Sequence, residues 1–143
     1  MKIKIIAVGK IKENIYSEKI SEYIKWISKD IKIELVALKN YKETKLNHRL
    51  TSYIRKSNYS IFMSDGGKKN TSIQFSNFIF NQNKDLIFFI GGPNGHSEKL
   101  LNHADKILSL SKMTFPHEMA LLILTEQLYR AISIKKRTKY HRY

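Results

Sequence analysis

"DLIFFIGGPNGHSEK", residues 85–99, is the stretch whose reading decides the fold. Leu86 to Ile90 is apolar at every position. Such a run has no solvated face and reads as a central strand of a parallel sheet covered by helices on both sides. It ends at Gly91, and three of the five residues 91–95 are glycine. Glycine at a strand end either permits positive φ or lets another group approach the backbone. In an open parallel sheet the carboxyl ends of the strands form the usual binding edge. A plain tight turn is the competing reading of the same five residues.

Working outward from this strand, the rest of the chain alternates in the same way. "KIKIIAV", 2–8, reads as a β-branched strand ending at Gly9, and 14–28 carries Ile20, Tyr23, Ile24 and Ile27 at helical spacing. "IKIELVAL", 31–38, is a second strand, the polar region 40–47 a loop, and 48–57 a modest helix. "YSIFMS", 59–64, is a third strand closed by the turn "DGGKKNTS", and 72–80 is a helix with apolar residues at 75, 78 and 79. Beyond the glycines, Ser97 caps a helix carrying Leu100, Leu101 and Ala104, and "KILSLS", 106–111, is a short strand. A loop with Met113, Thr114, Phe115 and Pro116 then leads into a long helix from His117 to about Ile132. The class is α/β, one domain over 1–143, with a largely parallel sheet of about five strands.

At 143 residues the chain suits one domain with a real core. No cysteine is present, which excludes disulfides, Cys-ligated zinc, iron–sulfur clusters and a cysteine nucleophile. The first residues, "MKIKIIAVGKIKE", contain no long apolar core of a signal peptide, and no segment approaches a membrane span. A cytoplasmic protein is expected. The net charge of +14, from 26 basic and 12 acidic residues, favours polyanions and nucleic acid first. The last nine residues, "KKRTKYHRY", hold five of the cations together with Tyr140, His141 and Tyr143. Cations interleaved with rings can contact phosphates and stack on bases.

Familiar catalytic motifs are missing. There is no dinucleotide fingerprint, no phosphate loop and no His pair at metal spacing. Glu118 and Glu126 stand eight apart, His117 reads as a packing residue at a helix start, and Glu126 with Arg130 forms an i,i+4 brace. Three loops leave the same predicted sheet edge: Asp65–Gly67, Gly91–Gly95 and "SLSKMTFPH". Together they could converge on a nucleoside-like ligand read by backbone groups. Cofactor binding with little acid–base equipment points to group transfer by positioning.

"LIFFIGGPNGHS", "LSLSKMTFPHEMALLILTEQLYRA" and the terminal "YHRY", in this order and spacing, resemble the ribosomal RNA large subunit methyltransferase H family. It is a small single-domain branch of the SPOUT superfamily, and the resemblance covers essentially all 143 residues. It implies an α/β fold with a C-terminal trefoil knot and a homodimer whose interface helps build the site. S-adenosyl-L-methionine is the implied cofactor, with no metal. The implied reaction is methylation of N3 of a pseudouridine in helix 69 of 23S rRNA, on the assembled 70S ribosome. Carried onto this chain, the cofactor pocket would involve Phe62, Met63 and Ser64, then Gly91, Gly92 and Gly95, then Leu110, Ser111, Lys112, Met113, Thr114 and Phe115. Tyr140, His141 and Arg142 would lie beside the target base, His141 as the proton acceptor and Arg142 stabilising the imide anion or a phosphate. Glu126 and Arg130 would order the knot and the dimer. Ser64 stands where many relatives have an acid, Leu121 where arginine is frequent, and Lys139 where proline precedes the Tyr–His pair. The alternatives are a methyltransferase for another structured RNA such as tRNA, and a non-enzymatic ribosome- or RNA-binding protein.

Overall fold

In a computed structural model of the chain, residues 1–142 are described; Tyr143, the last ring of the aromatic tail, lies outside them. Five strands and five helices follow one another as β1 (Lys2–Val8), α1 (Asn14–Ile27), β2 (Lys32–Leu38), α2 (Glu43–Thr51), β3 (Asn58–Lys69), α3 (Ser72–Phe80), β4 (Asp85–Ile90), α4 (Glu98–Leu101), β5 (Lys106–Ser109) and α5 (His117–Lys136). The sheet order is β2-β1-β4-β3-β5, and every ladder is parallel. The chain winds outward from β1 to β2, then crosses to the other side of β4. The reversal of direction falls between β1 and β4, where open parallel sheets place ligands at their carboxyl edge.

β4 is buried on both faces, as its composition requires. Leu86, Phe88 and Ile90 join Ile3, Ile5 and Ala7 of β1 and the apolar sides of α1, α3 and α5. Ile87 and Phe89 face the opposite way with Ile6, Val8, Phe62 and Leu38, under Leu50 of α2 and Leu100. Phe62 and Phe89 stack there, centroids 4.2 Å apart. Tyr23, Ile20 and Ile27 turn α1 inward at spacings of three and four. Helix α3 begins with a capping box, Thr71 Oγ1 accepting from Gln74 N–H and Gln74 Oε1 accepting from Thr71 N–H.

Several boundaries differ from the sequence reading. Helix α2 occupies 43–51 rather than 48–57, so part of the polar region read as a loop is helical. Its apolar face is only Leu46 and Leu50, one turn apart, too sparse to register as a period. "DGGKK" is not a closing turn. Met63 and Lys68 both pair with Leu108, so residues 64–67 leave the β3–β5 ladder and return to it at the same place. A Cβ on Gly67 would lie 2.6 Å from the Leu108 carbonyl carbon, so only glycine lets the returning strand pass this close. Helix α4 stops at Leu101, leaving Ala104 beyond it, and β5 stops at Ser109.

Helix α5 runs four residues past the expected end. It closes with Arg137 N–H on Ile134 O and Thr138 N–H on Ser133 O, a Schellman arrangement. Arg137 sits at φ 57°, the left-handed position that glycine usually takes. Among the described residues no helix is long and apolar enough to cross a membrane.

Phe88 is fully buried at the centre of the sheet. Phe88→Ala is expected to destabilise the fold by about 3–5 kcal/mol, read as a lower urea midpoint at unchanged slope.

Candidate functional site

Three chain segments meet beyond the carboxyl ends of β3, β4 and β5. They enclose an open cavity of about 800 Å³ lined by Met63–Asp65, Ile90–His96, Ser109–Ser111, Met113–His117 and Ala120. Each segment is held by its own short-range chemistry. After β4, Gly95 takes φ 67° and its N–H bonds Gly92 O at 2.9 Å, a tight turn. A Cβ on Gly91 would lie 2.9 Å from the Gly95 carbonyl carbon, so the turn folds only on a bare position. After β5, Ser109 Oγ donates to Ser111 O at 2.6 Å, and Ser111 Oγ accepts from Met113 N–H at 3.0 Å. Thr114 Oγ1 donates to Asp65 Oδ2 at 2.6 Å, tying this loop to the excursion in β3.

His96 fixes the floor. Its Nε2 lies 3.1 Å from Phe89 O, a bond in which the imidazole N–H donates, and its ring meets the edge of Phe62. Burial pushes its pKa below the ordinary 6.5, the carbonyl bond opposing that shift. On the opposite wall, the first turn of α5 packs on the loop after β1. The Glu118 carboxylate accepts from Lys12 N–H and Glu13 N–H, and these backbone bonds, Glu13 first, lower its pKa. The His117 ring lies against Gly9, and His117 Nε2 is buried with no hydrogen-bond partner among the described residues.

Of the twelve residues expected around a cofactor, ten line this cavity: Met63, Ser64, Gly91, Gly92, Gly95, Leu110, Ser111, Met113, Thr114 and Phe115. Phe62 does not, because strand alternation turns its side chain into the core on the far face. Lys112 points to solvent and is not in the wall. Asp65, Ser109 and His117 enter the sequence reading only as members of the converging loops, His117 there as a packing residue, while His96 and Ala120 were not singled out as lining residues. Asp65 and His96 were legible only as neighbours of glycines.

Tyr140, His141 and Arg142 do not line the cavity. Tyr140 and His141 fold back on α5 instead. Tyr140 OH donates to Glu126 Oε1 at 3.0 Å and lies 3.3 Å from Tyr23 OH. Arg130 holds the same carboxylate oxygen through Nε at 2.9 Å and Nη2 at 2.6 Å. Its guanidinium covers the Tyr140 ring, and its Nη1 lies 3.1 Å from His141 Nδ1. The Glu126 bond raises the Arg130 pKa, and burial with the bond to Tyr23 raises that of Tyr140. Both groups therefore keep their protons. Arg130 is the donor to His141, which places the imidazole proton on Nε2. Among the described residues no cluster of three His, Asp or Glu is arranged to hold a metal ion.

A folded-state pKa below the unfolded one disfavours the charged form of His96. Its stabilising contribution is complete above the unfolded value and fades as pH falls. Between about pH 7 and pH 5 the wild type should lose more urea stability than His96→Gln, which keeps a donor for Phe89 O without titrating.

The family described as "Predicted SPOUT methyltransferase" matches residues 1–141. A protein from Coprothermobacter proteolyticus named "Ribosomal RNA large subunit methyltransferase H" is 42% identical over 99% of this chain and 100% of its own length. The protein of the same name from Pseudothermotoga lettingae is 39% identical over 99% of both. Among solved structures, a probable methylase family protein from Haemophilus influenzae superposes with a TM-score of 0.59 at 10% identity, over 99% of this chain and 70% of that one, a likeness of fold alone. With its all-parallel sheet and the glycine-walled loops at the carboxyl edge, the chain belongs to the SPOUT methyltransferase family, and its fold is the family's α/β fold with a C-terminal trefoil knot.

Proposed function

We propose that this chain methylates N3 of a pseudouridine in helix 69 of large-subunit ribosomal RNA, on the assembled 70S ribosome and as a cytoplasmic homodimer. The observation that carries the reading is the three-loop cavity, in a chain that matches large-subunit rRNA methyltransferases over nearly their whole length.

The cavity suits S-adenosyl-L-methionine by the character of its walls. Gly91, Gly92 and Gly95 leave main chain bare, and the 110–115 loop offers its backbone to an adenine edge and an amino-acid end. Among the described residues Asp65 places the only carboxylate in the lining, where it faces a cationic ligand favourably. His117 Nε2 is a buried polar atom without a partner among the described residues. Volume of about 800 Å³ leaves room for a nucleobase beside the cofactor. When bound, S-adenosylmethionine supplies a methyl group on a sulfonium centre, open to in-line attack by nitrogen.

The chain's own task is alignment and the fate of one proton. The N3 imide proton must leave before that nitrogen attacks, and His141 is its acceptor, with Arg142 stabilising the resulting anion or a neighbouring phosphate. With Nδ1 engaged by Arg130, His141 carries its proton on Nε2. It accepts a second proton only after releasing Arg130. Because Tyr140 and His141 rest on α5 and stay outside the cavity wall, the tail serves the site of a second protomer. The charge of +14 draws the enzyme to ribosomal RNA.

Labelled methyl transfer is measured on 70S particles lacking the modification, on 50S subunits and on free rRNA, with mass mapping of the nucleotide. Label at N3 of the helix 69 pseudouridine, in 70S only, is the expected result. Label elsewhere overturns the substrate. His141→Ala should lower kcat by about 10²-fold or more, and undiminished transfer removes His141 from the role.

A further inference from the structure

A continuous run of hydrogen bonds leads from the neighbourhood of the cofactor cavity to the C-terminal tail. A second, smaller cavity of about 170 Å³ shares Met63, Ser109 and Leu110 with the large one. Its far wall carries Ser72 and Gln127. Ser72 Oγ donates to Gln127 Oε1 at 2.7 Å, and Gln127 Nε2 donates to Glu126 Oε2 at 2.8 Å. The other oxygen of Glu126 holds Arg130 and Tyr140, and Arg130 holds His141. Each link is part-buried, where a hydrogen bond to an ionised group contributes more than it does in water.

Gln127 has a single geometry that satisfies this chain. Its amide oxygen is committed to Ser72, so its NH₂ must face the carboxylate. Without Gln127, Glu126 Oε2 would lose its donor, and the carboxylate would be free to turn away from the Tyr140 hydroxyl. We propose that Gln127 is a positioning residue, which makes the pose of the tail depend on what fills the cavity beneath Met63 and Leu110. The inference rests on the function proposed above, in which the tail bears the reacting residues. The element with two arrangements is the tail itself, docked on Glu126 and Arg130 or released. It pivots beyond Arg137, whose φ of 57° marks where the helix gives way. Release also frees His141 Nδ1 from Arg130, the condition for its taking a proton. Occupation of the cofactor site thereby biases the tail toward its working pose.

The chain carries its own reporter. Trp26, its one tryptophan, lies 5.4 Å from both Tyr23 and Tyr129, and Tyr129 lies 4.8 Å from Tyr140, ring centroid to centroid. S-adenosylhomocysteine is titrated into the full-length protein while binding heat and Trp26 emission are recorded, with wild type compared against Gln127→Leu and Gln127→Glu. Wild type should bind and change its Trp26 emission. Gln127→Leu, its tail already released, should bind about fivefold or more tightly than wild type and lose most of the emission change. Gln127→Glu sets two carboxylates together. Its emission response should be absent near pH 8 and return toward about pH 5, as one carboxyl protonates. Wild-type binding heat without any Trp26 change overturns the coupling and leaves the proposed function standing. A Gln127→Leu protein with wild-type affinity and emission response overturns it equally. Absence of binding heat in wild type overturns the cofactor reading itself, and the coupling with it.

Discussion

A strand with no solvated face has to be covered twice, and β4 imposes that condition on the whole chain. Phe88 and Phe89 project to opposite sides and both are fully buried, so helices must lie on each face of the sheet. Connections that return over a face make the strands parallel, and parallel strands send all their exits to one edge. The glycine turn after β4, the excursion in β3 and the loop after β5 become neighbours for this reason, although Asp65 and Thr114, which meet there, stand 49 residues apart in sequence. Close approach of main chain does the rest. Gly67 passes the β5 backbone and Gly91 the Gly95 backbone at distances that exclude a Cβ.

Charge in this molecule divides into two kinds. Most of the 26 basic residues are solvated and act through the field of the whole surface. The Glu126–Arg130 pair differs, with side chains only 18% and 25% exposed and further donors from Gln127 and Tyr140. An exposed i,i+4 pair contributes a few tenths of a kcal/mol. Here the same spacing holds a tail, two tyrosines and a histidine in one arrangement, so its importance is orientation more than stability.

Fold legibility followed the density of apolar residues. Strands β1, β2 and β4 and helices α1 and α3 were readable to within a residue or so, because their apolar positions recur at a period of two, of three to four, or without a break. Helix α2 was not, since a helix resting on the sheet through Leu46 and Leu50 alone leaves almost no pattern. The β3 excursion was read as a turn because Asp-Gly-Gly is turn chemistry. That Met63 and Lys68 share one partner on β5 is a fact about pairing, which local composition does not encode.

Composition and order within this sequence determined the class, the position of the glycine turn and the cationic, aromatic ending, because burial, φ freedom and charge belong to individual residues and their near neighbours. The reach of each side chain was decided only in three dimensions. Phe62 and Met63 are adjacent, yet strand alternation sends one to the core and the other to the cavity. Asp65 meets Thr114 across 49 residues, and Glu126 gathers Gln127, Arg130 and Tyr140 around one carboxylate. Those meetings depend on how β3, β5 and α5 pack. Packing sums over contacts between distant residues, so no window of the sequence contains it.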